Sequence, residues 1–223
     1  MLRAVIFDFD GTLADTIPAI TEGVNLTMRQ YGFPTHSEAE VRTFINNGPR
    51  MLIRRALPRE LQENECLLDR VLADYDRLYK TVCLHTDTPY DGINALIDRL
   101  RERGVRIGVL SNKQDHLLRK ICTGMFGDRI DCIVGTVPDR PTKPDPYLAK
   151  KLAESLGVDT RDCIMIGDSD VDIRTAENAE MQCISVSWGY RDREFLLQNG
   201  AKAIASTPEE LSLMIENRME RID

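Results

Sequence analysis

The chain has 223 residues, of which 42% are hydrophobic and 29% charged, enough for one sizeable core or a core with a small accessory domain. This composition excludes a disordered chain, and a net charge of −7 argues against nucleic acid or an anionic membrane as a partner. No apolar stretch approaches the roughly 18 residues that a membrane-spanning helix needs. The six cysteines (Cys66, Cys83, Cys122, Cys132, Cys163 and Cys183) are scattered, without a C-x-x-C pair. They are too sparse for a disulfide scaffold and read as reduced thiols. The opening MLRAVIFDFDGT reaches charged residues after a short apolar run and does not read as a secretory signal, so the expected location is cytoplasmic.

Residues 2–7 form a short, almost wholly apolar run, as expected of a strand covered on both faces in a parallel sheet. From residue 18 the pattern changes to helical stretches without a convincing strand: 19–31, one opened by the capping-box spacing Ser37-Glu38-Ala39-Glu40, then 50–57 and 61–84. Segment 16–84 holds as many basic as acidic residues, so the net negative charge resides in the remainder. After the turn-rich stretch Asp87-Thr88-Pro89-Tyr90-Asp91-Gly92, strands and helices alternate. Strands are expected at 105–110, 131–134, 162–166, 182–186 and 203–205, with helices at 93–103 and 147–156 stopping at Gly104 and Gly157. The end, 216–223, reads as a frayed helix. The expected fold is therefore α/β: a Rossmann-like, doubly wound parallel sheet core built from 1–15 and 86–223, with an inserted all-helical domain at 16–85.

Four polar clusters follow expected strands. The first is Asp8-Phe9-Asp10-Gly11-Thr12, where two carboxylates precede a glycine turn. The others are Ser111-Asn112-Lys113, Lys143-Pro144-Asp145-Pro146 and Gly167-Asp168-Ser169-Asp170-Val171-Asp172. Ligands of open α/β sheets sit outside the carboxyl ends of the strands. A hydroxyl, a lysine and several carboxylates converging on that rim suit a phosphate, with Mg²⁺ holding the carboxylates together.

In this order the clusters resemble the four motifs of the haloacid dehalogenase-like hydrolase superfamily, over nearly the whole chain. The spacing agrees: 103 residues separate Asp8 from Ser111, where one βαβ unit needs about 30. The resemblance places a helical cap of the C1 type in that excess. It implies that Asp8 is a nucleophile forming an aspartyl-phosphate, and that Asp10 protonates the leaving alkoxide and then accepts a proton from water. It implies Mg²⁺ bound by Asp8, the Asp10 carbonyl and Asp168, and phosphate contacts from Lys143, Ser111 and the Asn112 amide. Thr12 belongs to the same phosphate-binding set and is expected to position Asp10. Asp172 is read either as a partner of Lys143 or metal-bound water, or as an ordinary carboxylate at a helix start. Asp10 separates phosphatase from dehalogenase, because halide departs without a proton.

Residues 167–179, Ser187-Trp188-Gly189-Tyr190-Arg191 and the stretch 47–57 resemble phosphoglycolate phosphatases, so the substrate expected is a small anionic phosphorylated metabolite, 2-phosphoglycolate. Asn46 stands where that group often has glycine. Arg50, Arg54 and Arg55 read as a solvated helix face or as contacts for a second anionic group. A β-phosphoglucomutase-like phosphotransferase and a pyrophosphatase are the alternatives on this fold; Gly11-Thr12, where such mutases carry Gly-Val, favours hydrolysis. Monomer and homodimer are both open. The three histidines lack metal-ligand spacing.

Overall fold

The computed structural model describes residues 2–45, 48–86 and 88–220. Asn46, Asn47, Asp87 and the last three residues, which include the end of the expected terminal helix, lie outside the described residues. In chain order the elements are β1 (Ala4–Phe7), β2 (Ala14–Asp15), α1 (Ile17–Gln30), α2 (Glu38–Phe44), α3 (Gly48–Ala56), α4 (Glu65–Thr86), β3 (Thr88–Pro89), α5 (Ile93–Glu102), β4 (Arg106–Gln114) and α6 (Asp115–Phe126). There follow β5 (Cys132–Thr136), α7 (Tyr147–Ser155), β6 (Cys163–Gly167), α8 (Asp170–Asn178), β7 (Gln182–Val186), α9 (Arg193–Gln198), β8 (Ile204–Ala205) and α10 (Pro208–Glu220). The chain divides into two compact units, Met1–Asp15 with Pro89–Asp223, and Thr16–Thr88. No helix among the described residues is long and apolar enough to cross a membrane.

The first unit is the α/β sheet expected from the alternation of elements. Its six strands run in the order β5-β4-β1-β6-β7-β8, and every neighbouring pair is parallel. β1 is fully buried because it lies between β4 and β6 with both faces covered, which explains its unbroken apolar run. Ala4 and Ile6 join one core cluster with Leu148, Leu152 and Met165; the alternation of a strand turns Val5 and Phe7 to the opposite face. The chain moves from β1 to β4 and β5 on one side, then returns to β6, β7 and β8 on the other. β1 thus marks the point where the strand order reverses, the place where open α/β sheets form their binding crevice. The register fixes what meets there. Phe7 pairs with Val109 and with Ile166, so the residues that follow β1 lie level with Leu110 and Gly167.

Ser111, Asn112 and Lys113 differ from the expectation that they follow a strand: they belong to β4, which continues to Gln114. The β4–β5 register shifts between Leu110 and Gln114, so the backbone stays extended past its last regular pair and delivers these side chains from a strand. A two-stranded ribbon of β2 and β3 also escaped sequence analysis, since two-residue strands carry no periodicity.

The second unit is helical. α1 packs along α4, and the stacked Tyr75 and Tyr79 (5.3 Å between ring centres) lie against Gly23. The Ser37 capping box forms as its spacing foretold: Ser37 Oγ accepts from the Glu40 amide while the Glu40 carboxylate accepts from the Ser37 amide. His36 bonds the Ala56 carbonyl at 2.8 Å and meets Phe44 edge-on. The helix expected from residue 61 starts instead at Glu65. Arg59–Leu61 form a separate 3-10 turn, and the Asn64 side chain accepts from the Leu67 amide to open α4 afresh. The arginines of α3 are engaged inside this unit: Arg50 with Asp69 and Glu65, Arg54 with Glu65 and the Gln62 carbonyl, and Arg55 with the Phe44 carbonyl.

Candidate active site

The chain leaves β1 at Asp8, whose amide still donates to the Ile166 carbonyl, and turns at once. Three successive amides, from Thr12 to Ala14, point at the Phe9 carbonyl, and Gly11 takes φ +82° to close the turn. Only glycine serves there: besides the left-handed backbone, a Cβ at residue 11 would lie 2.5 Å from Asp168 Oδ2. The turn thus sets Asp8 and Asp168 side by side at the strand ends. Thr12 differs from expectation. Its hydroxyl faces Asp168 Oδ1 at 3.5 Å, at the outer limit of a hydrogen bond, because the turn directs it toward β6 rather than toward Asp10.

Lys143 arrives from the loop between β5 and α7. The Asn112 side chain grips its backbone from both sides, donating Nδ2 to the Lys143 carbonyl at 3.0 Å and accepting the Lys143 amide at 2.9 Å. The adjoining Lys143–Pro144 peptide is cis. Lys143 Nζ then reaches Asp8 Oδ1 at 2.9 Å and Asp172 Oδ1 at 2.6 Å, its side chain 3% exposed. Asp172 is wholly buried, and its Oδ2 accepts both the amide and the hydroxyl of Ser169 at the start of α8. Asp172 thus pairs with Lys143 and also closes the capping box of α8.

Asp168 is held by the loop after β7, where the Tyr190 amide donates to Oδ2 at 2.7 Å and the Trp188 indole donates to the Thr12 carbonyl at 3.1 Å. Ser111 is buried and accepts the Lys113 amide at 3.2 Å. Asp10 stands apart on the more open side, with Oδ1 2.7 Å from Lys113 Nζ. Sequence analysis gave Lys113 no role, because its carboxylate partner lies 103 residues away along the chain.

The charges do not balance. Asp8, Asp168 and Asp172 bring carboxylate oxygens within 4.8 Å of one another, all buried. Burial, with Asp172 and Asp10 adding to it against Lys143, pushes Asp8 up to about 7. Burial, then Asp172 and Asp8, raises Asp168 well above the usual carboxylate range. Burial pulls Lys143 down, yet Asp172 and Asp8 outweigh it and hold the ammonium protonated above the usual lysine range. One lysine among three buried carboxylates leaves an excess of negative charge and of hard oxygen donors. That donor set fits a divalent cation.

Packing around these groups is tight. A Cβ at Gly167 would overlap the Asp172 carboxyl carbon. Gly167→Ala is therefore expected to displace Asp172 from Lys143 and lower kcat by about 10²-fold or more, the effect of misplacing a site by an ångström. Steady-state kinetics on a variant with unchanged circular dichroism checks this.

The switch-point crevice of the α/β sheet holds carboxylates and a buried lysine, a set suited to an anionic ligand with a cation. Residues 5–186 match the family model of the haloacid dehalogenase-like hydrolases, and the chain belongs to that family. It is 33% identical over 210 residues to the phosphoglycolate phosphatase of Rhodospirillum rubrum, covering 92% of this chain and 87% of that protein. It is 30% identical over 193 residues to the phosphoglycolate phosphatase of Xanthomonas campestris pv. campestris, covering 85% of each. The crystal structure of a Lactobacillus delbrueckii subsp. bulgaricus protein assigned to the phosphoglycolate phosphatases superposes with a TM-score of 0.89 at 30% identity, covering 96% of this chain and 98% of that one. CbbY from Rhodobacter sphaeroides in complex with phosphate shares the fold, with a TM-score of 0.74 at 24% identity over 95% of this chain and 96% of its own. Within its family the chain resembles phosphoglycolate phosphatases, and by class it is a phosphoric monoester hydrolase.

Proposed function

We propose that the protein is a Mg²⁺-dependent phosphatase of small organic phosphomonoesters, with 2-phosphoglycolate as its preferred substrate, acting through an aspartyl-phosphate. The observation that carries this reading is the buried ammonium of Lys143 between Asp8 and Asp172, beside Asp168. A carboxylate and a phosphomonoester repel each other, and a fixed cation at the point of attack offsets that repulsion. The relatives' substrate supports the choice of phosphoglycolate. The scattered cysteines, without a C-x-x-C pair, support a reducing cytoplasm.

Asp8 attacks phosphorus, and as its oxygen bonds, the bond from phosphorus to the leaving oxygen breaks and the electron pair departs with that oxygen. Asp10 supplies the proton that the alkoxide takes up. Water then attacks the phosphorus of the aspartyl-phosphate, gives its proton to Asp10, and releases Asp8 and inorganic phosphate. The Phe9 amide and Lys143 orient the Asp8 carboxylate. Ser111 and the Asn112 amide donate to phosphoryl oxygens, while the Asn112 side chain keeps Lys143 in place. Asp8, Asp168 and the Asp10 carbonyl would hold Mg²⁺, which supplies positive charge to the phosphoryl oxygens when bound.

The test measures phosphate release from 2-phosphoglycolate in excess Mg²⁺ beside sugar phosphates, nucleotides and pyrophosphate. Turnover of phosphoglycolate well above the rest is expected. Preference for a sugar phosphate or pyrophosphate would discard the substrate and keep the chemistry.

A further inference from the structure

Lys113 projects from β4 two residues beyond Ser111, and its side chain is only 6% exposed. A lysine so far from water needs a polar or acidic partner. It crosses to Asp10, with Nζ 2.7 Å from Oδ1 and 5.4 Å from the centre of the Phe9 ring. Its backbone is fixed as well, since its amide donates to Ser111 Oγ at 3.2 Å and the Thr136 hydroxyl donates to its carbonyl at 3.3 Å. Two cations therefore serve different carboxylates. Lys143 is placed between Asp8 and Asp172, and Lys113 is placed on Asp10, which is not among the three carboxylates clustered within 4.8 Å.

We propose that Lys113 is a positioning residue for proton transfer: by fixing Oδ1 of Asp10 it aims the second carboxylate oxygen at the leaving-group oxygen. This rests on the proposed phosphatase reading, in which Asp10 donates the proton as the bond from phosphorus to the leaving oxygen breaks. An alkoxide requires that proton, whereas a nitrophenolate departs without it. Losing a group that aims Asp10 therefore harms substrates in proportion to the basicity of their leaving groups. Losing a group that holds the phosphoryl oxygens harms all substrates alike.

The experiment compares kcat/KM for wild type, Lys113→Met and Lys113→Arg on 2-phosphoglycolate and on p-nitrophenyl phosphate, with Asp10→Asn as the reference. Lys113→Met is expected to lower the ratio of alkyl to aryl turnover by about tenfold or more, within the 10²–10⁴ that a general acid contributes. Lys113→Arg should restore most of that ratio, and Lys113→Met added to Asp10→Asn should lower it no further. Equal losses on both substrates, or an unchanged ratio, would overturn the proposal. Lys113→Gln gives the same comparison should the methionine variant not fold. A wild type inactive on both substrates would sink the phosphatase reading and this proposal together. An active wild type with uniform loss in the variants removes only the role of Lys113.

Discussion

Asp8→Asn is expected to abolish phosphate release, lowering kcat by at least about 10⁴-fold, the scale on which the loss of a nucleophile is felt in covalent mechanisms. The asparagine has the same shape and can still accept from the Phe9 amide and Lys143, but a neutral amide does not attack phosphorus. The same substitution has a stability signature with a definite sign. Burial raises Asp8 from an ordinary 3.8 to about 7, so the folded protein binds this proton more tightly than the unfolded chain. Its favourable contribution is complete below the unfolded value and is lost as the pH rises through about 7. Metal-free Asp8→Asn should therefore gain stability relative to metal-free wild type between acidic and mildly alkaline pH, by several degrees in Tm. Melting both proteins in chelator across that range checks the sign. Parallel curves would contradict it.

Lys143→Met is the second large effect. It leaves Asp8 and Asp172 facing each other without their shared cation, and removing one partner of a buried ion pair costs about 3–5 kcal/mol. Activity should fall by about 10²-fold or more, since a fixed charge at the reacting phosphoryl group is gone. Lys143 is raised above the usual lysine range, chiefly by Asp172 and Asp8 against the opposing effect of burial. Its stabilising contribution is thus fully present at neutral pH and is lost only in strong alkali. The difference in stability between wild type and Lys143→Met should accordingly persist at pH 7. Denaturant melts at that pH, paired with kinetics, measure both effects. A variant as stable as wild type would mean that the ammonium does not hold these carboxylates.

What the sequence made readable was contiguous. The apolar run of β1, the glycine after Asp10 and the carboxylates following β6 are each a few adjacent residues at a strand end, and the parallel register lines those ends up. The Ser37 capping box is local for the same reason. What stayed hidden depends on partners far along the chain. Asn112 grips the backbone 31 residues away and Lys113 finds a carboxylate 103 residues away, and neither pairing leaves a trace in local pattern. Thr12 faces Asp168 because of how one turn closes, a detail of φ angles rather than of residue type. The extension of β4 through Ser111–Lys113 was hidden by its polarity, since a strand end that serves a site gives up the apolar run by which strands are read.

Trapping the covalent intermediate tests the central claim most directly. Wild-type protein mixed with Mg²⁺ and 2-phosphoglycolate is quenched in acid during turnover, digested, and the peptide carrying Asp8 examined by mass spectrometry. A phosphoryl group on Asp8, absent from Asp8→Asn treated in the same way, is the expected result. A phosphoryl group on a different residue of an enzyme that turns over the substrate would contradict the account.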